Sequence, residues 1–261
     1  MLSIRHLLVR KQNRVTALLV AWGNLDSHLS KIQLTRLGSD YGGWWLPSEW
    51  LSQGTKKRVL ISVGLGFDVS FDSALLENGY FVIGLDPLKE STEFAARELA
   101  EFSNFICINK GLSTIEGSEK FYSPKNPSHD SWSAENVQNT PSSLSKIFEV
   151  TTLSALTESF PEIENADFTM LKIDIEGHEF AIMRDMVQKH QKYDFLAIEL
   201  DQLSLLPFLA IKKRYSKILE ARRIISQLHD IGYRLIYIEN FNFFWISDSL
   251  LDEHCNPNLL P

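Results

Sequence analysis

A series of short apolar runs that alternate with helical patterns constrains this chain more than any other feature. The runs are KKRVLISVG (56–64), YFVIGLD (80–86), NFICIN (104–109), DFTMLKID (167–174) and YDFLAIELD (193–201). A strand buried on both faces reads as a continuous apolar run, not as strict alternation. Between the runs lie helical stretches. DVSFDSALLENG (68–79) has Asp68 as candidate N-cap and Gly79 as its stop. PLKESTEFAARELAEF (87–102) is opened by Pro87. EFAIMRDMVQKH (179–190) and YSKILEARRIISQLHDIG (215–232) follow later. Strand–helix alternation implies a mostly parallel sheet covered on both faces. The last two apolar segments, YRLIYIEN (233–240) and FNFFWIS (241–247), adjoin closely enough to form an antiparallel hairpin at the end of that sheet.

Other segments read less regularly. Residues 3–35 read as one or two helices with basic faces, and SEKFYSP (118–124) as a hairpin partner to the extension of the third strand. Residues 123–146 are polar and rich in Ser, Pro and Asn, the composition of a functional lid or a disordered loop. Residues 1–50 form an N-terminal extension and residues 51–261 the main domain.

Composition narrows the function. Hydrophobic residues make up 44% of the 261, enough for a sizeable core. The net charge of −7 argues against nucleic acid as partner, because phosphate binding needs a basic surface. Cys107 and Cys255 are far apart and form no disulfide framework. The N-terminal MLSIRHLLVRKQNRVTALLVAW mixes basic and apolar residues without a signal-peptide core, and no apolar run is long enough to span a membrane. These features lead to the expectation of a soluble, cytoplasmic protein. Its N-terminal helix remains a candidate for docking on a partner or a membrane surface, or for forming a homodimer.

Ligands on open parallel sheets bind beyond the carboxyl ends of the strands. The first strand ends in SVGLGFD, where Gly64 and Gly66 permit a tight turn and close backbone approach. A dinucleotide fingerprint would place a third glycine at position 69, which is Val. Asp68 at the next helix start would also face a pyrophosphate unfavourably. It suits a cofactor carrying a sulfonium and an amino group, namely S-adenosylmethionine. The second strand ends at Asp86, 20 residues after Gly66, where an acid accepts ribose hydroxyls. Asp174, Glu176 and His178 in LKIDIEGHEF (171–180) fall at i, i+2 and i+4 just past a buried strand. They are the candidate catalytic groups, with His178 held neutral at a helix start. Lys172 is read as pointing away from Asp174. Glu199 and Asp201 end the next strand, and Glu199, His129 and Trp132 are candidate acceptor contacts. No metal site is assigned.

SVGLGFDVSFD, GLDP, KGLS with EKFYSP, YGGWWLP and above all LKIDIEGHEF together resemble the FkbM-type methyltransferase family. The resemblance runs from about Tyr41 to Trp245. It implies a Rossmann-like class I methyltransferase fold, S-adenosylmethionine as methyl donor, and a hydroxyl on a sugar, natural product or related small molecule as acceptor. It also implies that Gly64 and Gly66 form the cofactor loop, with Asp68, Asp86 and Pro87 beside it and Leu112 and Ser113 near the adenine. Ser62 stands where many members carry an acid, and GHE where GAE is commoner. An NAD-dependent oxidoreductase and a non-catalytic protein that keeps the fold are the alternative readings.

Overall fold

The computed structural model describes residues 4–25, 29, 32–51, 54–124, 132–136, 141, 144–204, 206 and 209–254. The first helix, α1, spans Ile4–Ala21, with side chains described from residue 13 onward. Two strands follow, β1 (Leu34–Leu37) and β2 (Trp44–Pro47), paired antiparallel. The helical reading of residues 3–35 is therefore corrected at its end, where Leu34 enters the β1–β2 hairpin. The turn between them uses Gly38 at φ +86°, where a Cβ would meet Gly43 at 2.9 Å.

The main sheet contains β3 (Arg58–Val63), β4 (Phe81–Leu85), β5 (Phe105–Ile108), β9 (Phe168–Ile173), β10 (Phe195–Glu199), β11 (Tyr233–Glu239) and β12 (Asn242–Ser247). Its order is β11-β12-β10-β9-β3-β4-β5. β12 runs antiparallel to both of its neighbours, β10 and β11, and the strands from β10 to β5 pair in parallel. The apolar runs alternate between two cores, as strand geometry requires. Val59, Ile61, Val63, Leu171 and Ile173 face one, and Leu60, Phe168 and Met170 face the other.

Helices cover both faces. The first core takes up α1, α4 (Leu153–Ser159), α5 (Pro161–Glu164), α6 (Glu179–Gln188) and α7 (Ile211–Asp230), through residues such as Ala17, Leu156, Phe180 and Ile224. The second takes up α2 (Ser70–Glu77), α3 (Lys89–Glu98) and α8 (Asp248–His254), together with Trp44 and Leu46 of the hairpin. Gly79 ends α2 at φ +81°, as expected. The N-cap of α2 is Val69, not Asp68, although the Asp68 carboxylate still accepts from Ser70 N at 3.0 Å.

A separate three-stranded sheet lies beside the main one, in the order β6 (Gly111–Leu112), β8 (Ser145–Thr151), β7 (Gly117–Tyr122). The expected hairpin between β7 and the extension of β5 does not form. Instead β8 inserts between β6 and β7 and pairs with both. Of the polar segment, Trp132 and Ser133 are placed, and Ser133 bridges to Tyr122 through two backbone hydrogen bonds. Most of the proposed lid falls outside the described residues, as do His129 and Cys255. Cys107 is half-buried in β5.

Candidate active site

The carboxyl ends of β3, β4, β9 and β10 open on a cleft of about 980 Å³. Gly64, Gly66, Asp68, Asp86, Pro87 and Leu112 line it, as do Asp174, Glu176, His178, Glu199 and Trp132. Thus nearly every residue singled out from the sequence reaches one cavity. Ser113 does not. It is buried, and its hydroxyl donates to Glu119 at 2.6 Å.

The β3–α2 loop is fixed by backbone geometry. Gly64 has φ +79°, and a Cβ there would sit 1.7 Å from Asp174 O. Only glycine lets the two strand ends approach so closely. Gly64 N donates to Leu85 O at 2.9 Å, and Lys172 Nζ donates to Gly64 O at 2.6 Å. Lys172 thus faces the cleft on the same side as Asp174, with Nζ 4.0 Å from its carboxylate. The expectation that it points away is corrected: strand alternation returns a side chain to the same face after two residues.

Asp86 accepts from Gly66 N at 3.0 Å and from Leu88 N at 2.8 Å. Burial pushes its pKa up, against the pull of these backbone donors. Each carboxylate oxygen still has a second lone pair to offer. Asp68 takes a more structural position than expected. Its carboxylate accepts from Ser39 Oγ at 2.5 Å as well as from Ser70 N, clasping the β1–β2 turn to the start of α2. Partial burial raises its pKa, but the hydrogen bonds from Ser39 and Ser70 outweigh this, and the net shift is downward.

The turn after β9 is the most unusual backbone in the site. Glu176 is a non-glycine residue at φ +60°, followed by Gly177 at φ +116°. Such strain persists only where neighbours hold it. Asp201 Oδ2 accepts from Glu176 N at 3.1 Å, Glu179 Oε1 accepts from Gly177 N at 2.6 Å, and Gln202 Nε2 donates to Gly177 O. The left-handed turn carries Glu179 inward to zero exposure at the start of α6.

These carboxyl groups crowd one another. Burial pushes the Glu179 pKa up to about 8, with Asp174 adding to the rise. Glu199 and Asp201 also lie well above the usual carboxylate range. Burial is the main cause for both, reinforced by their acidic neighbours. His178 is lowered, chiefly by burial, while Glu119 and Glu135 oppose the shift. Its Nδ1 lies 3.9 Å from Glu135 Oε1, and neither ring nitrogen has a hydrogen-bond partner among the described residues. An imidazole biased toward its neutral form and a Glu199 carboxyl biased toward its protonated form therefore border the cleft. The first can accept a proton and the second can donate a hydrogen bond.

Several residues escaped the sequence reading. Glu135 and Gln202 frame His178 and its turn, and Gln202 Nε2 donates to Glu135 Oε2 at 2.9 Å. Glu135 carries no local signal in a polar loop. Asn240 and Asn242 of the terminal hairpin line the cleft too. Asn240 sits at φ +55°, and an Asn at a tight hairpin turn could have pointed to it.

The site fits the cofactor that the resemblance implies. The Gly64–Gly66 turn, which brings backbone to the cleft, and Asp86, whose carboxylate oxygens keep acceptor capacity, both line a cleft with room for a nucleoside-sized donor and a second molecule.

No curated protein matches the chain by sequence. Among solved structures, it is similar to the Methanococcus jannaschii fibrillarin pre-rRNA processing protein at 11% identity and TM-score 0.38, over 76% of this chain and 68% of that one. A SAM dependent methyltransferase from Aquifex aeolicus shares 14% identity at TM-score 0.32, over 74% and 84%. The METTL16 MTase domain shares 14% at TM-score 0.40, over 95% and 83%. The family rests on firmer ground. Residues 59–235, from the first main-sheet strand to β11, match the model described as the methyltransferase FkbM domain. The chain belongs to the FkbM methyltransferase family, with the class I fold and S-adenosylmethionine as its cofactor.

Proposed function

We propose that the protein methylates a hydroxyl of a small-molecule acceptor, of the sugar or natural-product kind. One observation carries this reading. The strained Glu176–Gly177 turn presents Asp174, Glu176 and His178 to the cleft that the Gly64–Gly66 loop and Asp86 also line. S-adenosylmethionine supplies an electrophilic methyl group when bound. The chain's own residues then have three tasks.

Asp86 accepts the ribose hydroxyls, and Gly64 and Gly66 let the backbone approach the cofactor. Asp174 orients the acceptor hydroxyl and takes its proton as the oxygen attacks. His178, whose pKa burial lowers and which has no hydrogen-bond partner among the described residues, is the second proton acceptor, and Glu199 lines the acceptor side of the cleft. Holding acceptor and donor in line contributes the larger share of the rate.

The test separates binding from chemistry. Asp86→Asn removes the thermal shift given by S-adenosylhomocysteine. Asp174→Asn keeps that shift and loses about 10²- to 10⁴-fold in turnover on a hydroxyl acceptor. Full turnover by Asp174→Asn overturns the assignment of its role.

A further inference from the structure

Helices α1 and α7 lie side by side. Arg222 of α7 donates from Nη1 to Leu19 O at 2.8 Å and from Nη2 to Trp22 O at 3.1 Å. On α1, Ala17, Val20 and Ala21 are buried in the core. The opposite side exposes Val15, Leu18, Leu19 and Trp22, spaced i, i+3, i+4 and i+7, with Trp22 71% exposed. On α7, Ile211, Tyr215 and Leu219 recur every fourth residue, at 82%, 64% and 46% exposure. By helical periodicity they share the flank from which Arg222 grips α1. Two adjacent helices thus present one apolar strip to solvent.

The charge around this strip is unlike that of the rest of the chain. The sequences of α1 and α7 hold ten of the 26 Lys and Arg residues and only two of the 33 Asp and Glu residues, in a chain of net charge −7. Of those two acids, Glu220 is occupied by Arg184 at 2.7 Å and Lys217 at 2.9 Å. Arg14, Lys212, Lys213, Arg214 and Arg223 are exposed.

We propose that this strip is a peripheral docking surface for an anionic phospholipid bilayer. An apolar strip flanked by Lys and Arg, with Trp and Tyr at its edge, is the pattern of a helix that lies in the membrane interface. No helix among the described residues is long and apolar enough to cross a membrane, so the contact is superficial. A second copy fits less well. A two-fold contact sets each face against itself, which would bring two basic strips together. Helix α7 starts ten residues after Asp201, so the strip borders the carboxyl end of the sheet where the cleft opens. An acceptor held at a lipid surface would meet the site there.

Flotation of the full chain with vesicles tests this. The protein should float with phosphatidylcholine vesicles that contain ~30% phosphatidylglycerol and stay behind with pure phosphatidylcholine. Raising the salt to about 0.5 M should release most of it. Lys212→Glu, Lys213→Glu and Arg214→Glu together should lower partitioning about tenfold or more. Trp22→Ser should lower it too, with melting temperature and S-adenosylhomocysteine binding unchanged in both variants. Equal behaviour with the two vesicle types, or no flotation with either, overturns the proposal. So does a dimer, by light scattering, that Trp22→Ser dissociates.

Discussion

Replacing Glu179 by Gln isolates the most constrained charge in the site. Glu179 has zero exposure, its Oε1 accepts from Gly177 N, and its Oε2 has no hydrogen-bond partner among the described residues. Its pKa rises from the ordinary 4.5 to about 8, first through burial and then through Asp174. In the unfolded chain the group ionises near 4.5, whereas in the fold it stays neutral until about pH 8. Folding stability therefore falls as pH rises from the first value and levels off above the second. At about 1.4 kcal/mol per pKa unit the whole gap amounts to about 4–5 kcal/mol, of which about 2–3 kcal/mol falls between pH 6 and pH 9. Gln keeps an oxygen for Gly177 N and never ionises. In urea unfolding at pH 6 and pH 9, Glu179→Gln should thus lose about 2–3 kcal/mol less than the wild type on going to the higher pH. Titration of His178 occurs in both proteins and cancels from the difference. An identical pH dependence for the two proteins would refute the claim that this carboxyl is buried neutral.

Two further outcomes follow from the loop geometry. Gly64→Ala puts a Cβ 1.7 Å from Asp174 O in a left-handed conformation. Calorimetry should show a loss of about 2–4 kcal/mol, and S-adenosylhomocysteine should no longer raise the melting temperature. Asp68→Asn weakens the clasp on Ser39 and Ser70 and should cost about 1 kcal/mol, kept small by solvent at a partly exposed group. Because the Asp68 pKa is lowered, its contribution holds above the ordinary value of 3.8 and fades as pH falls through the folded value. Acid unfolding of Asp68→Asn should accordingly be less steep.

How far the sequence discloses this molecule depends on where each contact is made. The strands of the main sheet are legible because burial on both faces demands continuous apolar runs, and RVLISV, FTMLKI and FLAIE satisfy that demand within their own length. The pairing within the small sheet is not legible. β6 has two residues, and β7 is mostly exposed, with Phe121 alone buried. Its true partner β8 arrives only after a polar segment that gives no pairing signal. The β1–β2 hairpin is missed for a related reason: its four-residue strands follow directly on a helical pattern.

The charges of LKIDIEGHEF divide by the same logic. Asp174 is visible as an acid where a buried strand surfaces, since a carboxylate beside such residues needs a partner or a ligand. Glu179 reads as an ordinary first-turn acid, which a helix dipole would favour at the surface. Its burial depends on the left-handed pair Glu176 and Gly177, and on Asp201 and Gln202 arriving from the end of another strand to hold that pair. No window of ten residues contains those partners. The acids that look alike in the sequence therefore do different work. Asp174 and Glu176 face the cleft, while Glu179 is folded under it, holding in place the turn that aims them.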